Sequence, residues 1–152
     1  MDNYTKGKNV EEPFDRDKIP IDGLPVNFLW MQVKGGSKMT HLLSHAINEF
    51  KNESRTAVLW SGAGAAIPKA ISCAESFKKQ LSIEHQVSRL TVITVEEYWE
   101  PKIEGLETLV VIREIPVIHI LLSMFKIKDS ASGSSHIHYV GLVGTGNLST
   151  YN

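Results

Sequence analysis

A single cysteine, Cys73, stands in the 152 residues. It excludes an intramolecular disulfide and a cysteine-built zinc site, and it suits a reducing compartment, cytosolic or nuclear. No apolar run approaches the ~20 residues that a membrane span requires. The opening "MDNYTKGKNVEEPFDRDK" is too polar and charged for a secretory signal. The chain is therefore expected to be soluble and intracellular, with no membrane partner. Overall charge is lacking too: the formal net value is -1, so no global field announces a nucleic acid or a membrane. That balance conceals a division. Residues 31–90 hold eight Lys and Arg against four Glu, which leaves about -5 for the flanks. The middle is basic and the ends are acidic.

Catalytic signatures are equally scarce. The stretch "SGAGAAI" follows an apolar run and opens a helical pattern, as a dinucleotide-binding turn would. Ile67, however, stands where the third glycine belongs, and no acidic residue closes a following strand. Ser61 is preceded at the decisive position by Leu59 rather than glycine, so it does not make a nucleophile elbow. No P-loop lysine pattern occurs. His41 and His45 are four residues apart, without the adjoining Glu of a zinc-binding helix, and read as a solvated polar face. Glu96, Glu97, Glu100 and Glu104 read as a solvated strand end and turn. Cys73 reads as a packed, inert thiol. The sequence thus predicts no catalytic site, no metal, no cofactor and no small-molecule substrate.

What is present is a regular alternation of patterns. Residues 1–26 are polar and interrupted by Pro13, Pro20 and Pro25, and are expected to be disordered. "FLWMQV" (28–33) reads as a strand. Met39, Leu42, Leu43, Ala46, Ile47 and Phe50 then recur at steps of three and four, the stripe of an amphipathic helix with Ser37 as its N-cap. "RTAVLWS" (55–61) is apolar throughout and predicts a mid-sheet strand covered on both faces. A second helix carries Ile67, Ala70, Ile71, Ala74 and Phe77 on one face, and Pro68 fixes its first turn near Ile67. Two strand-rich runs follow, residues 87–98 and 108–123, with Gly105 between them and Pro116 marking a bulge or an edge. Residues 125–152 are rich in Ser and Gly and are expected to form a flexible tail. The domain proper is then 27–124. Its order, β-α-β-α-β-β, predicts an α/β two-layer sandwich with two helices on one face of a small mixed four-stranded sheet.

The two strand-to-helix turns should emerge from the same end of that sheet. One carries Lys34, Gly35, Gly36, Ser37 and Lys38; the other carries Gly62, Gly64 and, just inside its helix, Lys69. Glycines let phosphate oxygens approach backbone N–H groups, helix N-termini present unpaired donors, and lysines add counter-charge. Two such turns side by side suit a polyanion backbone better than one small phosphate.

"VKGGSKMTHLLSHAI", "VLWSGAGAAIPKAISCAESFKK" and "HQVSRL" together resemble the Alba superfamily. Within it they are most similar to the larger, twenty-five-kilodalton-type Alba subunits of eukaryotic ribonuclease P and ribonuclease MRP. The resemblance spans roughly Leu29 to Ser123. It implies the Alba-like fold, a heterodimer with a smaller Alba-type subunit, and binding to a structured RNA of a nuclear and nucleolar ribonucleoprotein. That particle serves tRNA 5′ processing and rRNA maturation, with catalysis by its RNA and the protein as an accessory subunit. The resemblance places Lys34, Gly35, Ser37 and Lys38 in one RNA-binding loop and Gly62, Gly64 and Lys69 in a second. It also matches Arg89 to a basic position on the third strand, within reach of the RNA backbone. The family usually has arginine directly after the second glycine of the second loop, where this chain has Ala65. The competing readings are a general Alba-type nucleic-acid or chromatin protein, and a protein-interaction module with weak nucleic-acid binding.

Overall fold

The computed structural model describes residues 2–52, 55–127 and 138–142. Its strands are β1 (Tyr4–Glu11), β2 (Phe28–Val33), β3 (Ala57–Ala63), β4 (His85–Pro101), β5 (Leu109–Ser123) and β6 (His138–Leu142). The helices are α1 (Met39–Asn52) and α2 (Ile67–Leu81). The β2-α1-β3-α2-β4-β5 succession matches the expected order. The sheet, however, holds six described strands rather than four. Five run in the order β1-β4-β5-β3-β2, and β6 pairs with the start of β4.

Strands β2 and β3 are parallel, in register from Phe28↔Ala57 to Val33↔Gly62, because α1 carries the chain back to the starting end of the sheet. β3 then pairs antiparallel with β5, and β5 with β4. Pro116 lies opposite Val92 of β4, one residue before the β3 pairing begins at Val117. β5 has a neighbour on one side only at that point, so proline is tolerated as an edge residue.

Residues alternate between two cores. On one face, Met31, Val33, Val58, Trp60, Ile120 and Leu122 meet Ala46 and Phe50 of α1 and Ala70, Cys73, Ala74 and Phe77 of α2. The rest of the α1 stripe packs against this cluster as expected. Phe77 stands edge-on to both Phe50 and Trp60, with ring centroids 5.4 and 5.8 Å away. Ile71 differs from expectation and is exposed, since Cys73 completes the buried face at steps of three and four.

The expected disorder of residues 1–26 is corrected. β1 pairs with the far half of β4, and the segment after it crosses the opposite face of the sheet. There Ile19 and Ile21 are buried with Phe28, Ala57, Leu59, Val87 and Leu121. Glu12 fastens the crossing: its N–H donates to Thr94 O, and its carboxylate accepts from Thr94 N and from Lys18 Nζ at 2.8 Å. Asp15 caps a single 3₁₀ turn, residues 16–18, by accepting from Asp17 N. The expected flexible tail also changes in part. Residues 138–142 form β6 against residues 85–89, while residues 128–137 and 143–152 lie outside those described. The expected solvated acidic cluster differs at Glu97, which is buried and flanked by Lys6 and Arg113 at 3.5 and 3.2 Å.

Candidate nucleic-acid interface

Because β2 and β3 are parallel and in register, they end side by side at Val33 and Gly62. The two turns therefore stand next to each other, as the spacing predicts. In the first, Ser37 N donates to Lys34 O, and the first helical bond runs from Leu42 N to Lys38 O. The cap position is thus Lys38 rather than Ser37. Gly35 and Gly36 are exposed, and a Cβ added at either would meet nothing within 4 Å. Neither adopts a positive φ. No steric or conformational demand inside the chain calls for glycine at these two positions.

The glycines of the second turn answer to the chain itself. A Cβ at Gly62 would fall 2.9 Å from Ala66 O and 2.9 Å from Ala70 Cβ, so glycine lets β3 meet the start of α2. Gly64 has φ +54°, the left-handed region that favours glycine. Ala65, beyond it, is exposed. α2 begins at Ile67 with Pro68 in its first turn, as expected. Neither helix carries an acidic residue in its first turn, so nothing offsets the positive ends of their dipoles.

Lys69 joins the two turns. Its ammonium donates to Gly35 O at 2.6 Å and to Ser37 O at 2.7 Å. It is a positioning residue: two of its three donors hold the first turn from the second helix. Replacing it with Met should loosen that turn. The expected result is faster hydrogen exchange at the amides of residues 35–38, with β3 amides unchanged, and a loss of about 1–2 kcal/mol. Unchanged exchange in the turn would show that the tie does not hold it.

Lys34 and Lys38 are exposed. The Lys34 ammonium lies 5.0 Å from the Phe14 ring centroid, and Phe14 stacks on Trp30 at 6.1 Å. Glu11, Phe14, Lys34, Gly35, Ala65 and Ile115 are among the residues that line the groove between the turns. Arg89 does not join this surface. Only 1% of it is accessible, and its Nη1 donates to Ser88 O. It sits mid-sheet, opposite His119 of β5 and His138 of β6. The expectation that it reaches a ligand is corrected: strand side chains leave from the faces of the sheet, and Arg89 shares its face with Val87, which is buried in the cluster that includes Ile19 and Ile21.

Sequence reasoning missed a buried polar relay. Trp30 Nε1 donates to Ser61 Oγ at 2.8 Å, and Ser61 Oγ lies 2.7 Å from His119 Nδ1. Indole only donates, so Ser61 Oγ accepts from Trp30, and its bond with His119 Nδ1 takes its direction from the imidazole tautomer. Burial holds the His119 pKa down at about 4. The pair has the spacing of a nucleophile and its base, but Ser61 has no accessible surface. It is structural. Among the described residues no group of three or more His, Cys, Asp or Glu is placed to hold a metal ion.

The Alba family profile matches residues 29–94, the stretch that contains both turns, both helices and the first half of β4. The ribonuclease P protein subunit p25-like protein of Homo sapiens is 37% identical over 125 residues, covering 81% of this chain and 75% of that protein. Its Mus musculus counterpart is 35% identical over 135 residues, covering 88% and 81%. The ribonuclease P protein subunit p25 of Homo sapiens is 30% identical over 140 residues, covering 81% and 70%. A glycine-lysine turn beside a second glycine turn, on a sandwich of this topology and with these relatives, has one assignment: the chain belongs to the Alba family and is related to the ribonuclease P protein subunits p25 and p25-like.

Proposed function

We propose that the protein is a non-catalytic RNA-binding subunit of a ribonuclease P or ribonuclease MRP ribonucleoprotein. In this reading it pairs with a smaller Alba-type subunit in the nucleus and nucleolus and serves tRNA 5′ processing and rRNA maturation. The RNA component performs the chemistry. The observation that carries the reading is the first turn. Two glycines with no internal reason to be glycine lie between Lys34 and Lys38, at the start of a helix, held in place by Lys69. Such a turn lets a phosphodiester backbone approach N–H donors closely while two ammonium groups neutralise it. Recognition follows the shape of the RNA more than its sequence. Lys34 and Lys38 are the direct phosphate ligands, Gly35, Gly36 and Ser37 form the cradle, and the second turn contributes Gly64 at its edge.

If about four phosphates are neutralised, log K should fall with log salt at a slope of roughly -3. Changing Lys34 and Lys38 together to Ala should weaken binding by at least tenfold near 0.1 M salt and make the slope shallower by about 1.4. Co-purification of the tagged protein from cells tests the assembly, through recovery of a ribonuclease P or MRP RNA and a second small Alba-type chain. A flat salt response would sink the RNA reading. A protein-interaction module is the second reading, favoured by Ala65 and by Glu11 in the groove lining. It predicts that the double lysine variant assembles normally.

A further inference from the structure

Beyond the first turn the surface does not end at Lys38. His41 and His45 follow it at steps of three and four, so the three side chains fall on one face of α1. All three are exposed, and with Gly36, Ser37 and Leu42 they line an open groove of about 440 Å³ running from the turn along the helix. Among the described residues none of the three has an internal hydrogen-bond or ion-pair partner. That separates them from the other basic groups nearby: Lys69 is tied to the turn, and Arg55 lies 3.6 Å from Glu49. Glu49, one turn past His45, closes the row, and its carboxylate faces Arg55. Lys38 to His45 spans about 10 Å of helix axis at 1.5 Å per residue.

We infer that this groove is a second contact for the same RNA, in which His41 and His45 take successive backbone phosphates as imidazolium ions and make binding pH-dependent. The inference rests on the RNA reading above and extends its path along α1. Leu42 and Met31 supply the apolar floor. Lys38 shares the groove with the two imidazoles; the other charged groups of the turns and of α1 are Lys34, Lys69, Glu49 and Lys51, with Arg55 just before β3. Of the groups named, Glu49 alone is acidic, and Arg55 lies 3.6 Å from its carboxylate. Histidine is the side chain whose charge changes in the mildly acidic range. Mild acid therefore adds two phosphate ligands to a row that is incomplete at pH 7.5.

The test uses the full chain and a labelled RNA of two short helices joined by an internal loop, titrated at pH 7.5 and pH 6.0 over a salt series. Circular dichroism at both pH values confirms the fold. The expected result is about tenfold tighter binding at pH 6.0, with a salt slope steeper by about one. The His41→Gln/His45→Gln variant, altered only at exposed helix positions, should bind like wild type at pH 7.5 and gain little at pH 6.0. An equal gain in wild type and variant overturns the inference, because other groups would then carry it. Salt-independent binding at both pH values overturns the RNA reading itself. The two failures are distinguishable because the first keeps the salt slope and the second removes it.

Discussion

Changing Ile19 and Ile21 together to Asp should cost the protein about 4 kcal/mol or more and unfold a large fraction of it at 37 °C. Both side chains are buried, at 8% and 4% accessible, against the face of the sheet that the helices leave open. Each contributes roughly 1.5–3 kcal/mol by leaving water. A carboxylate in the same place adds a desolvation penalty, because the neighbours are Phe28, Leu59, Val87 and Leu121. Total stability for a domain of this size is about 5–15 kcal/mol, so the double change removes a large part of it. Urea denaturation followed by tryptophan fluorescence measures the loss. Exchange at the β4 amides distinguishes local release of the segment from global unfolding. An unchanged urea midpoint would mean that residues 12–27 do not stabilise the sheet, and would restore the sequence-based expectation of disorder.

That segment is also where sequence reasoning had least to read. β1 is an edge strand whose residues are nearly all exposed, so "YTKGKNVE" shows no alternation of apolar and polar positions. Its pairing comes from β4, some ninety residues away. In the crossing segment only Ile19 and Ile21 carry the signal, and Pro20 between them resembles linker composition. The helices and central strands were legible for the opposite reason. α1 repeats its apolar residues at steps of three and four, and β3 is buried on both faces, so its apolar run has no gaps. The two turns were legible because parallel strands joined by a helix must end together. What their residues do was less so. Lys69 looks like a phosphate ligand in sequence, yet its ammonium is committed to two carbonyls. Gly62 looks like a ligand cradle, yet it makes room for α2. Only distances in three dimensions separate a lysine that binds from one that positions.

The same face of the sheet should give the protein a pH-dependent stability, with His119 as its source. His119 is 4% accessible, and its Nδ1 is hydrogen-bonded to Ser61 Oγ. Protonation of the ring would leave a buried cation, with Glu12, Asp15 and Lys18 across a small cavity. Burial accordingly lowers its pKa from 6.5 to about 4. The unfolded chain therefore takes up a proton that the folded chain refuses between pH 6.5 and pH 4. Stability from this group is complete above pH 6.5 and falls as pH drops through that window, by about 3 kcal/mol in full and about 2 kcal/mol by pH 5. Glu12 has the same sign at lower pH. Hydrogen bonds from Lys18 and Thr94 hold its pKa at about 2, so its contribution is lost only below its ordinary value of 4.5. Urea midpoints at pH 7.5 and pH 5 thus isolate the histidine. Wild type should lose about 2 kcal/mol between them, and His119→Gln, whose amide can donate to or accept from Ser61 but does not titrate, should lose far less. The same acid sensitivity in the variant would assign the effect to other groups and remove His119 from this role.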